Sequence, residues 1–588
     1  MKLKYVDPPQ QSTNRWGHVC VGIVVLCFAG LSGRLVYLQT AARPRALSHR
    51  DRQQTRRVDL HAQRGSIFDT RGRLLAASEP QPSVFGDPQR IKDIGHAASQ
   101  LAAILGTSRD RLIERIERRR HTRFVWLARK VSPGEAQAVR ALDLAGIGIK
   151  DESHRFYPNG PALAHVLGFV NIDGVGLEGL ELQFNDLLTG ESAAQYAWCD
   201  LRRRPIWTKS ESSTAPTHGE NLVLTIDLVI QRYVEEALEH AVTQFQAESG
   251  VGIVMSPRDG DVIAMAGYPT FDPNYHREYP SAHKRNRCLT DPVEPGSCFK
   301  PLIMSAALSE GVARLDETVD CGKGVWFFGS RRMRDTHANG KLTFEDVLVK
   351  SSNIGMGHIG TRLGNKALYE YVRAYGFGAR TGISLPGESA GILAPLRKWS
   401  SYSKTSIPIG QELAVTPIQL ATAFAALVNG GTLRPPRLVR MVLDSAGKQT
   451  TPDHQPRPPR QVVPPEVADA VAKQALVRMV NASPHDIKLA KYQVLGKTGT
   501  AQVPCRNRRG YEPDAFLGSF LGAAPAHDPV VAVLVMIRKP KRSLGYYGGT
   551  VAGPAVREII QKTLAYWDIT PDRDPSSVAM LAMKTATE

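Results

Sequence analysis

Cysteine is scarce in this chain of 588 residues, which contains seven. Two of them, Cys20 and Cys27, fall in an apolar run near the N-terminus, which leaves an odd number for the rest of the chain. No Cys-x-x-Cys pair and no zinc-like Cys/His spacing occur. We therefore predict neither a disulfide framework, although a single disulfide stays open, nor a metal site, and we expect no cofactor.

Nucleic-acid-binding motifs are lacking as well, although the chain is strongly basic. It has 74 Lys and Arg against 56 Asp and Glu, a formal net charge of +18. This excess suits an anionic surface or polymer, and it equally suits a well-solvated basic exterior. Without a recognition motif we expect no nucleic-acid partner. The length and the 42% hydrophobic content predict two or more folded domains rather than disorder.

An uncharged, mostly apolar run occupies residues 18–33. With Trp16 before it and the segment to residue 38 after it, the run reaches the ~20 residues that span a bilayer. A cleaved signal peptide is the alternative, but no clear small-x-small cleavage site follows. We therefore predict a cytoplasmic tail (1–15) and one uncleaved transmembrane anchor (16–38) in the inner membrane.

The charges on either side of this run do not settle its orientation. Lys2, Lys4 and Arg15 precede it, whereas seven arginines follow it between residues 34 and 57. A simple positive-inside count would place the large domain in the cytoplasm, yet long domains translocate largely regardless of flanking charge. Because the chemistry predicted below needs an extracytoplasmic substrate, we expect a periplasmic catalytic domain.

The segment after the anchor has its own strand and helix signals. Residues 63–76 predict a strand, a turn and a strand, in which Asp69 bonds the turn backbone and Gly72 takes a positive φ. Residues 85–150 alternate charged helical stretches with short apolar runs, which indicates a subdomain.

Two further motifs follow before a domain boundary. Between residues 155–168 and 174–181 we expect a buried Arg–Glu pairing that is structural and takes no part in chemistry. A polar stretch at 209–219, containing Thr, Ser and Pro, indicates the boundary itself. The domain after the anchor is therefore placed at 39–219.

The pattern after residue 220 predicts a second domain of α+β class. A strand at 221–227 leads into a helix that Asp227 caps. Early strands, a helical middle and late strands closed by a helix indicate one sheet that both halves of this domain share. The remaining predicted elements are a hairpin at 250–266, strands at 492–503, 515–523 and 530–537, and a helix at 552–567.

The chemistry-bearing stretch of the chain surrounds Ser297. Pro295 and Gly296 predict a bend, and an apolar helical run follows, so Ser297 would lie near the positive end of a helix dipole. Lys300 is three residues further and shares the same helix face. A serine hydroxyl beside an amine that can take its proton is the arrangement of a serine nucleophile.

The Ser-x-x-Lys pattern alone is weak, because it occurs three more times. None of the other three has a Pro-Gly bend before it and a long apolar helix after it, so we interpret them as loop coincidences. They are Ser281 with Lys284, Ser401 with Lys404, and Ser445 with Lys448.

Two motifs that follow in order make Ser297 and Lys300 distinctive. Ser351 and Asn353 stand at a predicted helix–helix corner, after a helix that Thr343 could cap. Residues 496–501, Gly-Lys-Thr-Gly-Thr-Ala, lie on a predicted strand, where side chains two apart point the same way. Each motif alone has a structural explanation, a cap or a strand end.

Together, Ser-x-x-Lys, Ser-x-Asn and Lys-Thr-Gly are the motif trio of penicillin-binding proteins and β-lactamases, with Ser352 where the general pattern has Asp. The chain resembles a class B penicillin-binding protein, a peptidoglycan D,D-transpeptidase, over nearly its whole length. Arg-Gly-x-Ile-x-Asp at 64–69, Arg-x-Tyr-Pro-x-Gly at 155–160 and Gly-x-Glu-Gly-x-Glu at 176–181 carry the resemblance before the trio. Residues 286–297 are similar to the division-specific, septal branch.

The resemblance implies a fold and its division into domains. Residues 220–567 would form a penicillin-binding, serine β-lactamase-like transpeptidase domain, with an antiparallel sheet flanked by helices. Residues 39–219 would form an elongated α+β pedestal of the non-catalytic, dimerisation type, and residues 568–588 a loose C-terminal tail.

The resemblance also implies roles for the motif residues. Ser297 would attack the donor peptide, Lys300 would take its proton, and Ser351 would relay a proton to the leaving amine. Backbone N–H groups of Ser297 and Thr500 would stabilise the oxyanion. The implied catalytic set is Ser297, Lys300, Ser351, Asn353 and Lys497. The implied substrate-binding set is Ser297, Ser351, Asn353, Lys497, Thr498, Gly499 and Thr500.

The implied partners are peptidoglycan stem peptides ending in D-Ala-D-Ala, and β-lactams as inhibitors. No glycosyltransferase pattern occurs in the chain, so a membrane glycosyltransferase and other division proteins are expected partners. Two features depart from the family expectation: Cys298 follows the nucleophile, and Arg538 and Lys539 end a late strand where acidic character is expected.

Three other functions stay open at this stage. A secreted β-lactamase shares the trio, but the long segment before it and the retained anchor argue against that function. An elongation-type transpeptidase differs from a septal one in biological assignment rather than chemistry. A β-lactam sensor or non-catalytic division scaffold would not need the complete motif set.

Overall fold

The computed structural model describes residues 15–43, 55–60, 62–199, 205–208, 216–450, 458–505 and 510–573. Of the predicted cytoplasmic tail, only Arg15 is among them, and the predicted C-terminal tail lies outside them beyond residue 573. The described residues belong to two compact units, one from 1–62 and 191–217 and the other from 63–190 and 218–588.

The described helices and strands are numbered in chain order. The helices are α1 (Arg15–Gln39), α2 (Ile94–Leu105), α3 (Arg109–Arg118), α4 (Pro133–Ala141), α5 (Ala164–Leu167), α6 (Gly179–Gln183), α7 (Asn185–Thr189), α8 (Leu228–Gln244), α9 (Ser281–Lys284), α10 (Arg287–Thr290), α11 (Lys300–Ser309), α12 (Phe344–Val349), α13 (Asn353–Ala374), α14 (Ser403–Ser406), α15 (Pro417–Val428), α16 (Pro465–Asp469), α17 (Val477–Ala482), α18 (Gly548–Val551) and α19 (Gly553–Tyr566). The strands are β1 (Thr55–Leu60), β2 (Ile67–Phe68), β3 (Leu74–Gly86), β4 (Val125–Ala128), β5 (Ile147–Phe156), β6 (Ala193–Cys199), β7 (Pro205–Thr208), β8 (Asn221–Leu224), β9 (Ser249–Met255), β10 (Val262–Tyr268), β11 (Thr318–Asp320), β12 (Val325–Phe328), β13 (Arg331–Arg334), β14 (Lys341–Thr343), β15 (Ile392–Leu393), β16 (Leu413–Ala414), β17 (Thr432–Leu433), β18 (Val439–Leu443), β19 (Gln449–Thr450), β20 (Arg460–Gln461), β21 (Leu495–Pro504), β22 (Tyr511–Ala524) and β23 (Val531–Arg538).

The first unit contains helix α1 and a three-stranded antiparallel sheet in the order β1-β6-β7. Residues Trp16–Gln39 of α1 are long and apolar enough to cross a membrane, and their side chains are not buried. This helix covers the predicted anchor at 16–38. A helix satisfies its own backbone hydrogen bonds, which is what a single segment crossing lipid requires.

The second unit begins with the predicted strand, turn and strand. Strands β2 and β3 pair antiparallel, and the Asp69 carboxylate accepts the backbone N–H groups of Arg71 and Arg73 at 2.9 and 2.8 Å. Gly72 has a φ of +78°, as the turn prediction requires. The predicted subdomain at 85–150 is confirmed: α2, α3 and α4 pack with β4 around a separate apolar core.

A buried ion-pair network joins the motifs that precede the Ser297 stretch. The Glu181 carboxylate accepts Nε–H of Arg64 at one oxygen and Nε–H of Arg155 at the other, both at 2.6 Å. Tyr157 donates its hydroxyl to the same carboxylate at 3.3 Å. Glu181 is fully buried, and both arginines are nearly so. The predicted Arg–Glu pairing is confirmed.

A five-stranded sheet organises the rest of the second unit. Its order is β10-β9-β23-β22-β21, and every neighbouring pair is antiparallel. Two early strands and three late strands share this sheet, as the sequence predicts. Strand β21, which carries the Lys-Thr-Gly motif, pairs with β22 on one side and forms an edge of the sheet.

Helices cover both faces of this sheet. In β23, alternate residues face two different apolar clusters: Val533 and Val535 pack with α8 and α19, whereas Leu534 and Met536 pack with α15. A strand that is buried on both faces is continuously apolar, which explains the sequence of β23. The predicted antiparallel sheet with flanking helices is confirmed.

Candidate active site

Ser297 lies in a single tight turn that precedes helix α11. Residues Gly296–Phe299 form a 3-10 turn, and the α-helix itself begins at Lys300. Gly296 has a φ of +54°, a backbone conformation that residues with a Cβ rarely adopt. The bend predicted from Pro295 and Gly296 is confirmed, with Ser297 one turn ahead of the helix and half-buried.

The Lys300 side chain reaches the corner between α12 and α13. Its ammonium donates to the Ser351 backbone carbonyl at 2.6 Å, to Ser351 Oγ at 3.2 Å and to Asn353 Oδ1 at 2.8 Å. Among the described residues, Ser297 Oγ makes no hydrogen bond. Catalytic hydrogen bonds are often longer before substrate binds, so this geometry is compatible with a Ser297–Lys300 pair.

Ser351 stands between two lysine ammonium groups. Its Oγ accepts from Lys497 Nζ at 3.1 Å as well as from Lys300 Nζ. The residue has a φ of +57°, which is uncommon for a residue with a side chain and indicates a backbone held by its surroundings. The structure therefore joins Lys300, Ser351, Asn353 and Lys497 in one hydrogen-bonded cluster.

Sequence analysis missed Asp335, which fixes the corner that carries Asn353. One carboxylate oxygen accepts the backbone N–H groups of Asn353 and Ile354 at 2.6 and 3.0 Å, and the other accepts the Ser352 hydroxyl at 2.5 Å. Asp335 thus caps helix α13 together with Ser352, whose Oγ accepts N–H of Gly355. A serine where the motif usually has Asp was the signal that a carboxylate would come from elsewhere.

Burial sets the protonation of both lysines. It lowers the pKa of Lys300 well below 10.5, and the Lys497 cation lowers it further, whereas Asp335 opposes the shift. Burial also lowers the pKa of Lys497, to about 8. A low-dielectric site disfavours the charged form of an amine, and two close cations disfavour each other. Lys300 is thereby suited to act as a base.

The Lys-Thr-Gly strand is packed tightly against the turn of Ser297. A Cβ added at Gly499 would lie 2.6 Å from Cys298 Sγ. The thiol itself donates to the Lys497 carbonyl at 3.7 Å, and burial raises its pKa to about 12, so it stays protonated. The close approach of β21 to the Ser297 turn therefore requires a residue without a side chain at Gly499, in addition to its implied role in substrate binding.

We expect Gly499→Ala to weaken the site through this contact. The new methyl group would push Cys298 and the Ser297 turn away from β21, at a cost of about 1–3 kcal/mol for an overpacked core position. Acylation by a fluorescent penicillin should slow accordingly. The second substitution Cys298→Gly should restore much of the rate in Gly499→Ala, and a double mutant no better than the single one would contradict the contact.

Thr498 and Thr500 lie on the half-exposed face of β21, and Lys497 and Gly499 on its buried face. This alternation is the one that the sequence predicts. Thr500 Oγ1 accepts the backbone N–H of Gly548 at 3.1 Å, a contact that sequence analysis did not foresee. Gly548 approaches so closely that a Cβ there would lie 2.2 Å from the Gly499 carbonyl oxygen.

Stacked aromatic rings lie next to Gly548, the residue that contacts Thr500 of strand β21. The ring of Phe516 stacks on Tyr546 with centroids 4.3 Å apart, and Tyr546 stacks on Tyr547 at the same spacing. Tyr547 is 45% exposed. Because Gly548 follows Tyr547 directly and contacts Thr500, the stack provides an apolar surface beside strand β21.

The three other Ser-x-x-Lys patterns make no comparable cluster. Ser281–Lys284 forms the one-turn helix α9 rather than the predicted loop, and the Lys284 ammonium donates to the His276 carbonyl. Lys404 lies over the Phe328 ring at 5.2 Å from its centroid. Lys448 closes a turn by donating its backbone N–H to Asp444.

Comparison with known proteins agrees with this geometry. Residues 250–561 match the penicillin-binding protein transpeptidase domain, and residues 59–224 match the penicillin-binding protein dimerisation domain. The chain belongs to the class B penicillin-binding proteins. The predictions of this family, its fold and an enzyme with a transpeptidase domain are thereby confirmed.

Relatives of this class B penicillin-binding protein span almost its whole length. The probable peptidoglycan D,D-transpeptidase PbpC of Pseudomonas aeruginosa is 34% identical and covers 95% of this chain and 96% of its own. Peptidoglycan D,D-transpeptidase FtsI of Escherichia coli K12 is 31% identical, and the match covers 95% of this chain and 92% of FtsI. The crystal structure of PBP3 from Mycobacterium tuberculosis, complexed with aztreonam, is 26% identical with a TM-score of 0.67 and covers 88% and 98%.

Proposed function

We propose that this class B penicillin-binding protein cross-links peptidoglycan stem peptides through an acyl-enzyme on Ser297. The observation that carries the proposal is the Ser351 hydroxyl, which contacts the side-chain nitrogens of two buried lysines, Lys300 and Lys497. Lys300 follows Ser297 by three residues. This arrangement provides a nucleophile, a base with a lowered pKa and a hydroxyl that can relay a proton.

In the proposed reaction Ser297 Oγ attacks the carbonyl carbon of the penultimate D-Ala of the donor. Its proton passes to neutral Lys300, and Ser351 relays a proton to the departing D-Ala amine. Backbone N–H groups of Ser297 and Thr500 stabilise the oxyanion. An amine of an acceptor peptide then attacks the ester, which forms the cross-link and returns the proton to Ser297.

The donor peptide is proposed to lie along strand β21. Because β21 is the edge strand of the five-stranded sheet, its outer backbone groups can pair with an extended peptide. Lys497, Thr498 and Thr500 would gather the terminal carboxylate, Gly499 would keep the strand close to Ser297, and Asn353 would hydrogen-bond the peptide.

β-Lactams are proposed as inhibitors that mimic this donor. The M. tuberculosis relative was solved with aztreonam, which supports the proposal for this chain. We expect a fluorescent penicillin to label the wild-type protein and to leave Ser297→Ala unlabelled. A wild type that does not label, or a labelled Ser297→Ala, would reject the assignment of Ser297, and rapid turnover of the drug would indicate a β-lactamase instead.

The pH dependence of acylation should follow the two lysines. Lys300 must be neutral to take the serine proton, so the rate rises with pH through its lowered pKa. Lys497 must be charged to hold a carboxylate, so the rate falls again above about pH 8. Second-order acylation rate constants should therefore give a bell-shaped profile. A rate that keeps rising well above pH 8 would contradict the role of the Lys497 cation.

We further propose that the catalytic domain acts outside the cytoplasmic membrane, anchored by α1, during septal synthesis. The similarity to FtsI and the sequence at 286–297 support a division role over an elongation role. A membrane glycosyltransferase and other division proteins are the proposed partners. Cells depleted of the protein should grow as filaments, whereas rounded cells would indicate an elongation enzyme, and normal division would indicate a dispensable copy.

A further inference from the structure

A two-stranded hairpin, β12–β13, lies next to the cluster of Lys300 and Ser351. Its inner face is packed: Met333 is buried, and a Cβ at Gly357 of α13 would lie 3.0 Å from both Met333 and Trp326. Trp326 also lies against His358, with ring centroids 4.1 Å apart. Arg331 pairs with Glu412 at 3.5 Å. The hairpin is thus fixed through one face.

The outer face of the hairpin combines apolar and cationic side chains that remain exposed. Phe327 is 63% exposed and stands directly opposite Arg332 in the strand register. Val325, which is 39% exposed, stands opposite Arg334. Within the described parts of the chain, neither arginine forms an ion pair. We call Val325, Phe327, Arg332 and Arg334 the hairpin face.

This face is connected to the catalytic cluster through one side chain. Asn353 Nδ2 donates to the Arg334 carbonyl at 3.0 Å, while Asn353 Oδ1 accepts from Lys300 at 2.8 Å. The next residue, Asp335, caps helix α13. The hairpin face therefore lies at the rim of the site, on a support that the catalytic cluster itself holds in place.

Two other cations, at the end of β23, are already paired within the fold. Arg538 and Lys539, which departed from the family expectation in the sequence, both pair with Glu248, and Lys539 also pairs with Glu512. Their charge is thereby offset within the fold. Arg332 and Arg334, in contrast, can form charge-assisted hydrogen bonds with a carboxylate that arrives from outside.

We propose that the hairpin face binds the acceptor stem peptide, an acidic peptide whose carboxylates pair with Arg332 and Arg334 while Phe327 and Val325 contact its aliphatic parts. This inference rests on the proposed transpeptidase function. Binding there would hold the acceptor amine for attack on the Ser297 ester: the amine nitrogen bonds to the acyl carbon, the bond from that carbon to Ser297 Oγ breaks, and the amine proton passes to Ser297 Oγ.

The proposal predicts a defect in transfer without a defect in acylation. The test uses the full-length protein, a thioester analogue of the D-Ala-D-Ala donor, and a synthetic acceptor peptide with one free amine and two free carboxylates. The measured quantity is the ratio of amide product to hydrolysis product. For Arg332→Glu combined with Arg334→Glu, we expect this ratio to fall about tenfold. The double substitution replaces two solvent-exposed ion pairs with the acceptor by two repulsive contacts, and the loss of two such pairs corresponds to about this factor.

Three controls make the result specific. The same acceptor with both carboxylates amidated should react equally with wild type and variant, because it has no carboxylate charge that could pair with residues 332 and 334. Arg332→Lys with Arg334→Lys should retain most of the transfer. Arg111→Glu with Arg120→Glu changes the same net charge on exposed residues of the pedestal subdomain and should leave the ratio unchanged.

The outcomes separate this inference from the proposed function. Normal penicillin labelling of the Arg332→Glu, Arg334→Glu variant shows that it is folded and that Ser297 reacts. Normal labelling with an unchanged product ratio overturns the hairpin assignment, and would favour a protein partner or a lipid surface at this face. Failure of the wild type to label overturns the transpeptidase proposal itself.

Discussion

Lys300→Met is expected to slow acylation by a fluorescent penicillin about a thousandfold, because a general base contributes on the order of 10²–10⁴ to rate. Lys300 is fully buried and lies in the network with Ser351 and Asn353. Methionine has a similar length and fills the same space, so the loss would report the missing amine rather than a cavity. Stopped-flow or gel-based labelling at several drug concentrations gives the rate constant.

The matched control is Lys350→Met, which changes an exposed lysine next to Ser351. It should acylate at the wild-type rate. The Lys300→Met variant should also lose the rise of rate with pH that titration of Lys300 produces. If it acylates within about tenfold of wild type and keeps that rise, the base is another group, and the cluster around Ser351 would need a different assignment.

Glu181→Gln is expected to lower the free energy of unfolding by about 3–5 kcal/mol. The substitution keeps the shape of the side chain but removes the charge that faces two buried guanidinium groups, those of Arg64 and Arg155. Arg155 Nη2 is itself buried without a hydrogen-bond partner among the described residues, so the network has no spare acceptor. The two cations would then be left uncompensated in a low-dielectric region.

Denaturant unfolding of the full-length protein, followed by tryptophan fluorescence, measures this loss. The control Glu239→Gln alters an exposed carboxylate and should shift stability by less than about 0.5 kcal/mol. Below its unfolding midpoint, Glu181→Gln should still label with penicillin, since the network contains no residue of the Ser351 cluster. A loss under about 1 kcal/mol would mean that the arginines find other partners or water.

Local patterns predicted the parts of the fold that depend on near neighbours. The alternation in β21, the cap formed by Asp227 and the turn around Asp69 all follow from residues within a few positions. Thr343 caps α12 as expected. The strand boundaries shifted by a few residues, most at β22, which begins at Tyr511 rather than 515 because its pairing with β21 continues to Tyr511, opposite Pro504.

Local analysis did not predict the contacts that place the motif residues relative to each other. Asp335 follows the β12–β13 hairpin and caps helix α13, which is a separate element. A side chain at position 499 would clash with Cys298, which lies about 200 residues away in sequence. The contacts of Lys300 with Ser351 and Asn353 likewise join residues about 50 positions apart in sequence.

The sequence by itself identified the family, through the order of Ser297 with Lys300, then Ser351 and Asn353, then Lys497 to Thr500. The order of the motifs is a property of the amino-acid sequence, so it can be recognised without coordinates. The tertiary structure alone decided how burial and the proximity of Lys497 lower the pKa of Lys300, and which cations are left unpaired. Those properties depend on distances between segments that are remote in sequence, since desolvation and Coulomb interactions act through space.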